Sequence, residues 1–424
     1  MPAPSILSFE DARHVVDEHA ARLSARGTES VALLQAVGRV LAEPLAADRD
    51  FPPFARATRD GYAVRSGDLA KLPASLKSVG EIKAGQPPDS AFRLQAGEAV
   101  AIMTGAPAPP GADAVVMIEY TSCTGDRVEV TRGVQRGENI VPSGAEARRG
   151  EILLKPGARV DEAAIAIAAS VGKANLKVYL RPRVAVLSTG DEVIDINRQP
   201  GPNQIRNSNS YSLAAQILAA GGEPVVLPIA PDEPKRLKQL IEEGLATDLL
   251  LLTGGVSMGK YDLVEQVLGE LNAEFFFTGA QIQPGRPVVF GRCDAGACGA
   301  GTLARESSKK YVYFFGLPGN PVSTMVTFEL FARPILQGLA GMQPSKLVFL
   351  HARLKSEIRT KTGLKRFLPA MLSGEFEHAE VELARWQGSG DIAATARANC
   401  YVVVPPDRER IAAGEWVPVL MRNS

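Results

Sequence analysis

Between residues 183 and 339 the chain repeatedly sets a short, unbroken apolar run beside a stretch with helical periodicity. The runs VAVLST, PVVLPI, DLLLLT, AEFFFTG, RPVVFG and YVYFFG contain no regular polar alternation, as expected of strands covered on both faces. Helical spacing falls between or after them over residues 211–220, 234–245, 263–271 and 322–339. Strand and helix alternating in this way predict a doubly wound, mostly parallel sheet. The Gly-rich and then charged DAGACGAGTLARESSKK, between RPVVFG and YVYFFG, reads as a long hairpin loop with no expected function.

The flanks have other patterns. Ser8 and Asp11 form a capping box ahead of Phe9, Ala12, Val15, Val16 and Leu23, which predicts an amphipathic N-terminal helix. A second helix is expected over residues 33–42, stopped by Pro44. From about residue 51 to 141 short β-like pieces (YAVR, AVAIMTG, DAVVMIEYT, RVEVTR) are separated by Gly and Pro, and predict an all-β domain. An Ala/Ile-rich helix follows over residues 161–171. Beyond residue 344, LVFLHARL, RFLPAML, YVVVPP and WVPVL predict a C-terminal β-barrel or sandwich. At 424 residues one core would be a surprise, which agrees with this division.

Charge and residue usage exclude several functions. Lys+Arg and Asp+Glu both number 47, so no net field draws the chain to nucleic acid or an anionic membrane. No apolar run is long enough to span a bilayer and the start has no signal-like core, so a cytoplasmic location is expected. Cys123, Cys293, Cys298 and Cys400 are scattered and read as reduced thiols. His14, His19, His351 and His378 lack zinc-ligand spacing, and the first two read as an exposed helix face.

In a doubly wound sheet, ligands bind beyond the carboxyl ends of the strands. VAVLST runs into Gly190, Asp191 and Glu192, PVVLPI into Asp232 and Glu233, DLLLLT into GGVSMGKYD with Asp262, and YVYFFG into LPGNPVS. Carboxylates alone repel a phosphate, whereas glycines at a helix start attract one. The combination points to a hard cation such as Mg2+ bridging the two. GGVSMGK at 254–260 matches seven positions of a phosphate-binding P-loop, but Tyr261 replaces the Mg2+-binding hydroxyl and weighs against that ATPase reading. TRDGYAVR around Asp60 and IMTGAP around Thr104 are turn signals by themselves.

QAVGRVLAEPL, FPPFARATRDGYAVR, AIMTGAPAPPGADAVV, STGDEV, PNQIRNSNS, TGGVSMGKYD, QPGRPVVFG and GLPGNPVSTMVTFE, in this order, closely resemble the molybdopterin molybdenumtransferases, the family of MoeA and the gephyrin E domain. The resemblance implies four pieces: an elongated helical one (1–47 with 148–180), an inserted β-domain (48–147), a pterin-binding α/β domain (181–340) and a C-terminal β-barrel (341–424). It implies a homodimer in which Asp60 and Thr104 of one copy face Glu192, Asp232 and Asp262 of the other. It further implies a reaction in which molybdate and adenylylated molybdopterin give the molybdenum cofactor and AMP, with Mg2+ held by Glu192, Asp232 and Asp262. Asp60 and Thr104 join these acids as catalytic residues. Ser188, Thr189, Gly190, Asn209, Gly254, Gly255, Ser257, Pro318, Gly319, Asn320 and Pro321 would cradle the pterin and its phosphate, and Arg286, Arg366 and Ser389 would meet molybdate. Gln283 stands where the family often has lysine, Pro369 where it often has arginine, and Glu146 where aspartate is usual. A non-catalytic scaffold of the gephyrin type is the second reading, which the retained acids oppose.

Overall fold

The computed structural model describes residues 5–85, 91–254, 263–294, 311–343, 346–375 and 378–422. The predicted N-terminal helix, α1, is Phe9–Ala20, and the Ser8 hydroxyl accepts from the Asp11 N–H at 3.0 Å as the capping box requires. Its Phe9, Ala12, Val16 and Ala20 are buried against the α/β core, so α1 packs with that unit.

Two expectations for the first piece are corrected. The helix expected over residues 33–42 is only a single tight turn, Leu33–Ala36. Gly38 then adopts φ +76°, and Val40 and Leu41 bridge to Arg159 and Val178. Beta-branched Val37 and Val40 favour this extended backbone. Nor is the piece mainly helical. Besides α1 it holds α2, Glu162–Ser170, capped by Asp161, together with the strand pairs Thr28–Ala32 with Asn175–Tyr179 and Leu45–Ala46 with Ile152–Leu154.

The β-domain is a six-stranded sheet in which Gly61–Val64 lies between Ala114–Met117 and Glu98–Ile102. Its two faces bury separate apolar clusters, one around Leu76 and Val128 and the other around Ile82 and Val100. Alternation of side chains along each strand sends residues to both faces.

The central sheet has strands β1 (Arg183–Ser188), β2 (Glu223–Val226), β3 (Leu249–Thr253), β4 (Glu274–Phe277), β5 (Val289–Asp294) and β6 (Tyr311–Leu317). Their order is β2-β1-β3-β6-β5-β4, with β2, β1, β3 and β6 parallel and β5 antiparallel to both neighbours. The antiparallel β5–β6 pairing agrees with the predicted hairpin, whose loop, residues 295–310, lies outside the described residues. Helices α3 (Ser208–Ala219), α6 (Pro321–Thr327) and α7 (Arg333–Leu339) cover one face, and α4 (Pro234–Leu245) and α5 (Leu263–Glu270) the other. The long last helix widens over Phe328–Ala332 between α6 and α7. Pro334 has no N–H to return to the Leu330 carbonyl, and Arg13 of α1 donates to that oxygen at 2.9 Å instead. His19 is corrected as well: it stacks on Phe276 and reaches the Tyr313 hydroxyl at 3.1 Å, because the open face of β4–β6 offers it an aromatic surface.

After residue 346 the strands β7 (Phe349–Leu354), β8 (Lys365–Ser373), β9 (Glu380–Leu383), β10 (Cys400–Val404) and β11 (Trp416–Met421) pair in the order β8-β9-β7-β11-β10-β8, which closes a five-stranded barrel. The short helix α8, Ile392–Arg397, precedes β10. The strand Ile282–Gln283 joins the barrel by pairing in parallel with Lys365 and Arg366 of β8. Residues just before β5 are thereby fixed against the start of β8.

Candidate functional site: a polar crevice beside a basic cavity

Strand order reverses between β1 and β3, since β2 lies to one side of β1 and β3 to the other. A crevice must open there. It has a volume of about 370 Å³ and is lined by Ser188, Thr189, Glu192, Arg206, Asn207, Asn209, Thr253, Gly254 and the loop Pro318–Pro321. Nine residues expected to bind or act there thus meet around one space: Ser188, Thr189, Glu192, Asn209, Gly254, Pro318, Gly319, Asn320 and Pro321.

A hydrogen-bonded lattice fixes the crevice. Thr189 N–H donates to the Thr253 carbonyl at 2.9 Å and holds the ends of β1 and β3 together. Gly254 follows with φ +88°, and a Cβ there would stand 2.4 Å from the Thr189 carbonyl oxygen, so only glycine fits without displacing backbone. Asn207 caps α3, accepting from Ser210 N–H at 3.1 Å and from the Ser188 hydroxyl at 3.0 Å. The Asn209 amide donates to Thr253 Oγ1 at 2.9 Å and to the Gly319 carbonyl at 2.7 Å, joining β3 to the Pro-Gly-Asn-Pro loop. Thr253 and Thr324 hydroxyls both donate to the Pro318 carbonyl from the other side. Thr189 Oγ1 and Asn209 Oδ1, both buried here, have no hydrogen-bond partner among the described residues. Unsatisfied buried polar atoms lining a crevice mark the chemistry that a ligand would complete.

At the acidic end, Glu192 folds back over Gly190, whose φ is +130° and whose missing Cβ would lie 2.6 Å from the carboxylate. Asp232 N–H donates to Asp191 Oδ1 at 3.1 Å. Burial first, and then the charges of Asp191 and Glu192, push the Asp232 carboxyl above the usual carboxylate range. Such crowding suits a cation. Among the described residues no group of three His, Cys, Asp or Glu has metal-binding spacing. Asp262, the third expected ligand, lies outside the described residues, as do Gly255, Ser257 and Tyr261.

Asp60 and Thr104 do meet. The Thr104 N–H and hydroxyl donate to the same Asp60 oxygen at 2.6 and 2.9 Å, and hold that exposed carboxyl below its usual range. Neither residue lines the crevice of its own chain.

A second cavity, about 630 Å³, adjoins the first and shares Pro287, Pro318 and Asn320 with it. Arg286, Arg366 and Ser389, expected around molybdate, all line it, together with Gln283, Lys361 and Trp386. Arg366 is 7% exposed, donates to the Leu364 carbonyl at 3.1 Å, and is pushed below the usual guanidinium pKa by burial. The Ser389 carbonyl accepts from Val322 N–H at 3.0 Å, which ties the barrel segment to α6. Pro369 is buried in β8 opposite Tyr401 and does not reach the cavity. Arg206, Asn207, Thr253, Lys361 and Trp386 are lining residues that motif reading missed. The first two were legible within PNQIRNSNS. Lys361 and Trp386 belong to the barrel, which only the fold brings to the α/β domain.

A doubly wound sheet with a polar crevice at its switch point, next to a cavity lined by Arg286, Lys361 and Arg366 and, among the described residues, by no carboxylate, is the arrangement of a ligand-binding α/β protein. Residues 185–338 match the family model "Probable molybdopterin binding domain", residues 7–172 the "MoeA N-terminal region (domain I and II)", and residues 351–421 the "MoeA C-terminal region (domain IV)". The molybdopterin molybdenumtransferase of Nostoc sp. is 34% identical over 429 residues, covering 99% of this chain and 94% of that one. Molybdopterin molybdenumtransferase 1 of Mycobacterium tuberculosis is 33% identical, covering 95% and 98%. The crystal structure of the molybdopterin biosynthesis moeA protein from Pyrococcus horikoshii OT3 superposes with a TM-score of 0.75 at 28% identity, covering 99% and 100%. The chain belongs to the MoeA family of molybdopterin molybdenumtransferases.

Proposed function

We propose that this chain catalyses the final step of molybdenum cofactor biosynthesis, joining molybdenum from molybdate to adenylylated molybdopterin with release of AMP. The observation that carries the reading is the shared wall: a crevice with unpaired polar atoms opens beside a basic cavity across Pro287, Pro318 and Asn320. A pterin dithiolene seated in the first would present its sulfurs to an oxyanion held in the second.

In this reading Ser188, Thr189, Gly190, Asn209, Gly254, Gly255, Ser257 and the loop 318–321 bind and orient the pterin and its phosphate. Backbone N–H groups at the start of α3 supply positive partial charge. Arg286, Arg366 and Ser389 hold molybdate by charge-assisted hydrogen bonds. Glu192, Asp232 and Asp262 would hold Mg2+, which supplies Lewis-acid polarisation of the phosphoanhydride and offsets charge on the departing phosphate. Preorganised Arg286 and Arg366 offset the oxyanion's charge without reorganising.

The proposal includes a homodimer, since Asp60 and Thr104 lie outside their own chain's crevice and would serve the partner's. Exposed Met103 and Ile118 beside them offer apolar surface for such a contact. The four units at 1–47 with 148–180, 48–147, 181–340 and 341–424 remain our division of labour. We place the protein in the cytoplasm; no described helix is long and apolar enough to cross a membrane. Family membership does not favour the P-loop ATPase or scaffold readings. The test is AMP release from adenylylated molybdopterin with Mg2+, with and without molybdate: molybdate-dependent release is expected, and bound pterin without release refutes the activity.

A further inference from the structure

We propose that Lys361 is a third cation of the oxyanion cavity and that, with Arg286 and Arg366, it makes the cavity select doubly charged tetrahedral oxyanions over singly charged ones of the same shape. The inference rests on the reading of this cavity as the molybdate site and adds a specificity-determining residue to it.

Neighbouring cations of the barrel have carboxylate partners. Lys365 pairs with Glu10, Arg359 with Glu357, and Arg410 with the same Glu357. Lys361, two residues beyond Arg359, instead lines the cavity, and no ion pair claims it among the described residues. Arg286 is likewise exposed to the cavity, and the nine-tenths-buried Arg366 has, among the described residues, the Leu364 carbonyl as its hydrogen-bond partner and no carboxylate. Among the described residues no carboxylate lines the space. Three cationic residues thus line one cavity from two parts of the chain, Arg286 before β5 and the other two from the barrel. A buried arginine without a countercharge is costly, and the cost is recovered when an anion binds.

Charge count then governs selectivity. At one geometry the attraction between a cation and a bound anion scales with the anion's charge, so a dianion gains twice what a monoanion gains from each cation. Loss of Lys361 should weaken molybdate by roughly tenfold, the cost of one charge-assisted contact, and an isostructural monoanion by only about threefold, the square root of that factor.

Trp386 lines the cavity and reports occupancy, while Trp416 lies exposed on the barrel beside Arg353. Tryptophan fluorescence of the full-length chain is titrated with sodium molybdate and with perrhenate, for the unaltered protein, Lys361→Gln, Lys361→Arg and, as a charge control at an exposed lysine outside the cavity, Lys155→Gln, with Trp386→Phe identifying the signal. The exposed position of Lys361 makes misfolding of its variants a small concern, and a thermal melt checks it. The expected result is a molybdate-to-perrhenate preference that falls about threefold in Lys361→Gln, recovers in Lys361→Arg and is unmoved by Lys155→Gln. An unchanged preference in Lys361→Gln, with molybdate still binding the unaltered chain, overturns this inference alone. Failure of the unaltered chain to bind molybdate overturns the oxyanion reading beneath it.

Discussion

Asn209 ties three segments of the crevice through one amide, so Asn209→Asp removes that tie while leaving volume and shape unchanged. The amide now donates to Thr253 Oγ1 at 2.9 Å and to Gly319 O at 2.7 Å. Losing two hydrogen bonds costs about 1 kcal/mol each, and setting an acceptor against the Gly319 carbonyl adds about 1–3 kcal/mol for unmatched oxygens. A total of about 3–5 kcal/mol acts on the loop 318–321, enough to lower pterin affinity by at least about a hundredfold. The new carboxyl, facing a carbonyl oxygen, will be held above the usual carboxylate range, and its protonated form restores one donor. Affinity of the variant should therefore recover as pH falls through that raised pKa. Calorimetric titration with adenylylated molybdopterin at about pH 7.5 and about pH 5.5 reads both effects. Binding within a fewfold of the unaltered chain at both pH values would refute the claim that Asn209 organises the crevice.

Gly254→Ala should cost about 1–2 kcal/mol for the left-handed backbone, with more for the Cβ against the Thr189 carbonyl; a lower melting temperature together with lost pterin binding checks it. Burial, followed by Arg292 and Arg22, holds His19 below the usual imidazole pKa against the opposing Glu274 and Glu18. A lowered folded pKa means that stability is full above about pH 6.5 and is lost as pH falls from there towards the folded value. Melting temperatures across that window should drop, and the drop should shrink in His19→Phe. Iodoacetamide at about pH 8 should label exposed Cys123 and spare Cys400, whose thiol burial pushes up to about 11; peptide mapping that finds Cys400 labelled equally fast refutes its burial. Asp60→Ala should melt as the unaltered protein does and lose AMP release, whereas collapse of its melting temperature would assign Asp60 a structural role.

Periodicity carried the α/β domain well because its strands are buried on both faces and its helices are long. The predicted 234–245 helix is α4 itself, and the capping box at Ser8 placed the start of α1. The same reasoning failed at residues 33–42, where local apolar spacing is outweighed by Gly38 and by strand partners more than a hundred residues away. It failed again at His19, since helical spacing does not reveal an aromatic surface contributed by β4–β6. At the site, the loops after β1, β3 and β6 were legible because strand ends gather at a switch point whatever the distant sequence. Lys361 and Trp386 were not legible, because the strand Ile282–Gln283 pairs with β8 and brings barrel residues to Arg286 in a way that no local pattern encodes. Pro369 was weighed as a gap in the oxyanion pocket, yet it sits in the barrel wall away from the cavity.

The central claim is that the pterin crevice and the oxyanion cavity are neighbours with separate occupants. A crystal structure of the full-length chain grown with tungstate, with the tungsten located by its anomalous scattering, tests it most directly. The account predicts a peak in the basic cavity, in contact with Arg286 and Arg366 and next to the loop 318–320. A peak in the crevice against Thr189 and Asn209, or none in the basic cavity at saturating tungstate, would contradict it.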